Sequence, residues 1–131
     1  MPFPPSRAEV KEACRELGLS SDWSAADKPQ VEREDAERIL AAIHPSIEID
    51  PDSFRDGLAV ELEHGREYSE ANVTNNHPVA TGKIVLAHML EMLDYYERLD
   101  VAENEGELMK AAADGDWAAV KRIADARLAD R

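Results

Sequence analysis

Apolar residues recur at spacings of three and four along most of the chain, the pattern of helices that turn one face inward. The first such run is Arg7 to Leu17, with Val10, Cys14 and Leu17 in register and Gly18 behind them as a terminator. After a serine-rich turn holding Trp23, the positions Val31, Asp35, Ile39, Ala42 and Ile43 continue at helical spacing. Asp27 is placed to cap this second helix, which ends near His44 and Pro45. Ile47 to Asp50 alternates as a strand would, but four residues without an evident partner read as an extended linker. A third helix is expected from a cap at Asp52 or Ser53 through Phe54, Leu58 and Leu62 to about Gly65, followed by a polar loop, Ser69 to Asn76. Pro78 opens a fourth helix, where its missing N–H is harmless, and Ile84, Leu86, Leu90, Leu93 and Leu99 give that helix the broadest apolar surface. The tail reads as a helical hairpin over 105–129 that turns at Gly115 and Asp116. Together these runs predict an all-α, single-domain bundle of about five to six helices spanning 1–131, with N-terminal helices over 7–44 and dimerisation as a route to completing the bundle.

Composition agrees with that reading. At 131 residues there is enough chain for one core and too little for two ordinary domains. Aromatics make up only 5% of the residues, so the apolar set is dominated by Ala, Leu, Val and Ile, which suits helices better than sheets. A single cysteine, Cys14, excludes an internal disulfide framework and fits a reducing compartment. The opening Met1-Pro2-Phe3-Pro4-Pro5 lacks the basic and then apolar regions of an export signal, and no run is long enough to span a membrane. A cytoplasmic protein is the expectation. The formal net charge of -13 argues against nucleic acid or anionic lipid as a partner and makes cations the natural ones.

Two short phrases carry the candidate chemistry. Glu61 and His64 lie three positions apart, hence on one helical face, and His88 and Glu91 repeat the pair in reverse order. If the third and fourth helices form an antiparallel hairpin, the two pairs meet with His64 opposite His88. Two imidazoles and two carboxylates suit a divalent transition metal, Fe, Mn or Zn, and helix-bundle di-metal proteins use related spacings. One chain falls short of a full dinuclear ligand set, so a homodimer is expected to supply the rest. Glu63, Tyr95 and His77 are the spare ligands or outer-shell partners. Tyr95 shares a stripe with His88 and Glu91 if the fourth helix is unbroken. The plainer alternative is a non-enzymatic interaction module in which the same Glu and His residues form a structural polar network. A third, an anion pocket, would draw on Arg55, Lys83 and Tyr95. Thiol chemistry at Cys14 and a glycine-rich phosphate loop have no support in the pattern.

The phrases Phe54 to Gly65, Asn72 to Asn75, Thr81 to His88, Glu91, and Asp94 to Leu99 resemble a family of small bacterial and archaeal proteins sharing a domain of unknown function. The resemblance covers residues 54–99 and implies membership, not an activity. Its pattern has an acidic pair where this chain has Asn76-His77, and a proline where this chain has Leu93. Loss of that proline implies a fourth helix running unbroken to Leu99, with Tyr95 and Tyr96 helical.

Overall fold

Ser6 starts the first helix by reciprocal capping: its hydroxyl accepts from Glu9 N at 3.1 Å, and its own N–H donates to Glu9 Oε1 at 3.1 Å. The helix, α1 (Arg7–Leu17), ends at Gly18, whose φ of 69° lies in the left-handed region that glycine adopts without strain. In the computed structural model, residues 4–25 and 29–129 are described, and the expected cap Asp27 lies outside them. The second helix, α2 (Arg33–Ile43), begins later than the apolar spacing suggests, because Glu32 is its capping position and Val31 precedes it. The third, α3 (Pro51–Glu67), is capped by Asp50 and not by Asp52 or Ser53. Asp50 accepts from Ser53 N and Ser53 Oγ, both at 3.1 Å, and these bonds hold its carboxyl below the usual range. Pro51 then fills the first helical position. A single 3-10 turn, Ser69–Ala71, leads to a loop and to α4 (Pro78–Glu91). The last two helices are α5 (Tyr95–Ala113) and α6 (Trp117–Ala129). No strand occurs among the described residues; 44–50 link α2 to α3 without a helix, with His44 left-handed at φ 54°, a bend at 46–47 and Asp50 extended.

The expectation that the fourth helix continues to Leu99 is not met. Met92 N–H still reaches His88 O at 2.9 Å, but Met92 itself is extended, with φ -159° and ψ 109°. Asp94 then opens a new helix: its carbonyl accepts from Arg98 N at 3.0 Å and its carboxylate from Arg98 Nε at 2.9 Å. Asp94 makes no side-chain capping bond, its carboxylate being taken by Arg98, but aspartate is a weak helix-interior residue and the chain breaks here without a proline. Tyr95 and Tyr96 are helical, but as the first turn of α5. The first arm of the C-terminal hairpin therefore begins at Tyr95 and not near residue 105.

Contacts divide the chain into two compact units, Met1–Leu93 and Asp94–Arg131. In the first, α2, α3 and α4 pack on one another and α1 closes over α2 and α4. The core is made by Val10, Trp23, Ile39, Phe54, Leu58, Leu62 and Val85, all essentially sealed from water. Gly82 of α4 allows that helix close to its neighbours: a Cβ there would lie 2.7 Å from Ile39 Cγ2 and 2.8 Å from Ile43 Cδ1. Asp35 is fully buried and ties the start of α2 to the end of α1. It accepts from Ser20 N at 2.9 Å, Ser20 Oγ at 2.7 Å and Glu32 N at 3.2 Å. Arg38 adds a bond to the Gly18 carbonyl. Burial pushes the Cys14 thiol up from its ordinary range, which suits a packing role. In the second unit, α5 and α6 form an antiparallel hairpin turning at Gly115, with φ 70°. Among the described residues no helix is long and apolar enough to cross a membrane.

Candidate functional site

The loop between α3 and α4 is built by asparagines. Asn72 Oδ1 accepts from Thr74 N at 3.3 Å and Asn75 N at 3.0 Å, turning the chain locally. Asn75 and Asn76 follow with φ of 48° and 66°, a left-handed conformation that asparagine tolerates better than most residues. Their amides donate outward, Asn75 Nδ2 to Pro5 O at 3.0 Å and Asn76 Nδ2 to Trp23 O at 3.3 Å. The loop is thereby pinned to the N-terminal part of the chain. His77 caps α4: its Nδ1 accepts from Ala80 N at 3.3 Å.

This loop closes one side of a cavity of about 270 Å³. Glu61 and His64 reach it from α3, Asn72, Val73 and Thr74 from the loop, and Thr81 and Ile84 from α4. Tyr68 stands at the rim, exposed, with its ring edge-on to His64 at 6.3 Å between centroids. Gly65 lets the Asn72 side chain approach, since a Cβ at that position would lie 3.2 Å from Asn72 Oδ1. Thr81 Oγ1 donates to Thr74 Oγ1 at 3.0 Å, joining α4 to the loop. The wall thus offers a carboxylate, an imidazole, a phenol, an amide and two hydroxyls.

Glu61 also faces the second helix of the pair. His88 Nε2 lies 3.7 Å from Glu61 Oε1, an ion-pair distance when the imidazole is protonated, and the Glu61 side chain keeps only 14% of its exposure. The mirrored phrases therefore bring together Glu61 and His88, while His64 shares the cavity wall with Glu61. Glu91 is at the exposed end of α4, and Glu63, two residues beyond Glu61, is half-buried on a different side of α3. Among the described residues, no group of three or more His, Cys, Asp or Glu side chains is placed to hold a metal ion. Two of the spare candidates take other roles. His77 is buried as the α4 cap, and the break after Glu91 ends the helical stripe on which Tyr95 was to share a face with His88. Tyr95 instead packs edge-on against Tyr96 at 5.0 Å within the second unit. Arg55 is held by Asp52 at 3.9 Å and Asp56 at 3.6 Å, and Lys83 is exposed. Neither lines the cavity.

Sequence periodicity misses Tyr68, Asn72, Thr74 and Thr81. The signal available for the two loop residues is the Asn-Val-Thr-Asn phrase, which on spacing alone reads only as a polar loop.

Burial pushes the His77 imidazole below its ordinary value of 6.5, against a weaker opposing pull from Glu9. The neutral ring is also the form whose Nδ1 can accept from Ala80 N. The unfolded chain thus takes up this proton first as pH falls. Stability is undiminished above about pH 6.5 and declines as pH drops from there toward the lowered folded-state value. Urea midpoints between pH 7.5 and 5.5 should show this decline, and His77→Asn, which keeps a capping acceptor, should flatten it; an equal slope in both proteins would assign it elsewhere.

The family model of DUF5661, proteins of unknown function, matches residues 10–105, and the chain belongs to that family. The matched span takes in most of α1 and all of α2, wider than the 54–99 core visible in the sequence phrases. No curated protein and no solved structure matches the chain.

Proposed function

We propose that this member of the DUF5661 family binds a small cation in the cavity between α3 and α4, and that the cation is a divalent transition metal, Fe, Mn or Zn. The reading rests on one observation: Glu61 lines the cavity and lies 3.7 Å from His88 on the facing helix. A carboxylate and an imidazole from opposed helices are a matched pair of donors for such an ion. His64, one turn along α3, shares the cavity wall with Glu61 but is not placed with this pair as a third donor. The remaining positions fall to water or to a substrate, the arrangement that redox or storage chemistry requires. The same pair favours a second reading, in which Glu61 and His88 are a structural ion pair fixing α3 against α4.

Elemental analysis of protein purified without chelator separates the two. Metal binding predicts about one metal per chain and a loss of affinity of roughly tenfold or more in Glu61→Gln and in His88→Gln, read by calorimetric titration with Mn(II) and Zn(II). Saturating metal should also raise the unfolding free energy by about 2.7 kcal/mol at a hundredfold excess over Kd. Equal, trace metal in wild type and variants, with a lowered thermal midpoint in each variant, would establish the structural pair instead.

A further inference from the structure

The α5–α6 hairpin buries little of its own apolar surface. Among its described residues the two packed ones are alanines, Ala111 and Ala119, beside the turn. Away from the turn, Val101, Leu108, Ile123 and Leu128 border an apolar groove of about 290 Å³. Leu128 is 60% exposed, and Trp117 and Met109 more so. A unit of under about 40 residues rarely stabilises itself without a staple, a metal or an oligomeric partner.

Charge identifies what fits the groove. Helix α5 is acidic, with Glu97, Asp100, Glu103, Glu105 and Glu107 against Arg98 and Lys110. Helix α6 is basic, with Lys121, Arg122 and Arg127 against Asp125. The groove carries one charge of each sign, Glu105 from α5 and Arg127 from α6. A patch with both signs on opposite walls is self-complementary: a two-fold rotation sets each charge against its opposite. Placing α5 beside α5 would oppose acid to acid, whereas α5 beside α6 opposes acid to base. Arg127 lies 3.6 Å from Asp100 of its own chain, and a guanidinium has donors to spare for a second carboxylate.

We propose that the groove receives the same hairpin of a second copy, giving a two-fold four-helix bundle in which α5 of each chain lies against α6 of the other and Glu105 meets the opposing Arg127 twice. The proposal makes no use of the α3–α4 cavity, so its fate is independent of the metal reading.

Molar mass measured by light scattering on the full chain tests it, with Glu105→Arg and Arg127→Glu alone and mixed in equal amounts. The wild type should run as a dimer, each variant should dissociate at least tenfold more readily, and the mixture should regain dimer mass as a heterodimer. Circular dichroism accompanies each sample. If a lone variant loses helicity, recovery of both helicity and mass on mixing supports the proposal, and failure to recover them overturns it. A monomeric wild type at high concentration, or a dimer unaffected by either charge reversal, also overturns it.

Discussion

Gly82→Val should destabilise the first unit by about 3 kcal/mol, and Gly82→Ala by about 1 to 2 kcal/mol, in urea unfolding followed by circular dichroism. The cause is the close approach of α4 to α2 and α3. Any Cβ at residue 82 meets Ile39 Cγ2 at 2.7 Å, Ile43 Cδ1 at 2.8 Å and Phe54 Cζ at 3.3 Å. The Ile43 methyl is the end of a flexible chain and gives way cheaply. The Ile39 Cγ2 methyl is attached at a branched β-carbon with one favoured rotamer in a helix, so relief there must come from backbone movement. Alanine regains up to about 1 kcal/mol of helix propensity, which the clash outweighs, while valine adds two further methyl groups to a space already filled. Gly106 supplies the contrast. It lies inside α5, and a Cβ added there would meet nothing within 4 Å, so Gly106→Ala should stabilise by about 0.5 to 1 kcal/mol. Equal stability of Gly82→Ala and wild type would mean that the three helices are not held at this separation.

Asp35→Ala should cost about 2 to 3 kcal/mol. The carboxylate is fully buried and satisfies three donors, two of them on Ser20 and one the Glu32 N–H. Hydrogen bonds to a charged acceptor are worth about 1.5 to 3 kcal/mol each, but Ser20 is exposed and its groups regain water when the carboxylate is removed. Asp35→Asn keeps one carbonyl acceptor and turns an amide toward the remaining donors, so about half of the loss should remain. The same urea series measures both, and a wild-type midpoint for the alanine variant would show that the end of α1 and the start of α2 are held by packing alone.

Asp35 also illustrates what the one-dimensional pattern conveys. Its position among Val31, Ile39 and Ile43 places it on the inward face of a helix, and it is there, but periodicity carries no information on why an acid is inside. The reason lies fifteen residues away, at Ser20. Helix interiors are legible for the same cause in α1 to α3, where Val10, Ile39, Phe54, Leu58 and Leu62 announce their burial through spacing and are all in the core. On α4 the spacing favours Ile84, Leu86 and Leu90, whereas the apolar side chains in the core are Val85 and Met89. Ends are less legible, because a cap competes with its neighbours for the same donors. Three acidic or hydroxyl residues, Asp50, Asp52 and Ser53, are available at the start of α3, and Pro51 settles the matter by leaving Asp50 as the position outside the helix.

The break after Glu91 is the clearest case of information hidden from a hydrophobic pattern. Leu90, Leu93 and Leu99 prolong the apolar run, yet Leu90 and Leu93 are 52% and 61% exposed. What ends the helix is local backbone chemistry at Met92 and Asp94, and it acts where the family resemblance implied that only a proline would. The candidate site divides in the same way. The mirrored order of the two phrases anticipates His64 opposite His88, whereas the pair at ion-pair distance is Glu61 and His88. Asn72 and Thr74 reach the cavity through turns set by side-chain bonds to backbone, which no periodicity reports.

The two tryptophans stand at opposite extremes of their surroundings. Trp23 is sealed in the first unit and Trp117 is 66% exposed in the second. The intrinsic emission of the folded chain is therefore a composite, with a blue component from an indole in an apolar cage and a red one from an indole bathed in solvent. Iodide should quench the second and not the first, so the chain carries a separate optical reporter in each of its two units without any added label.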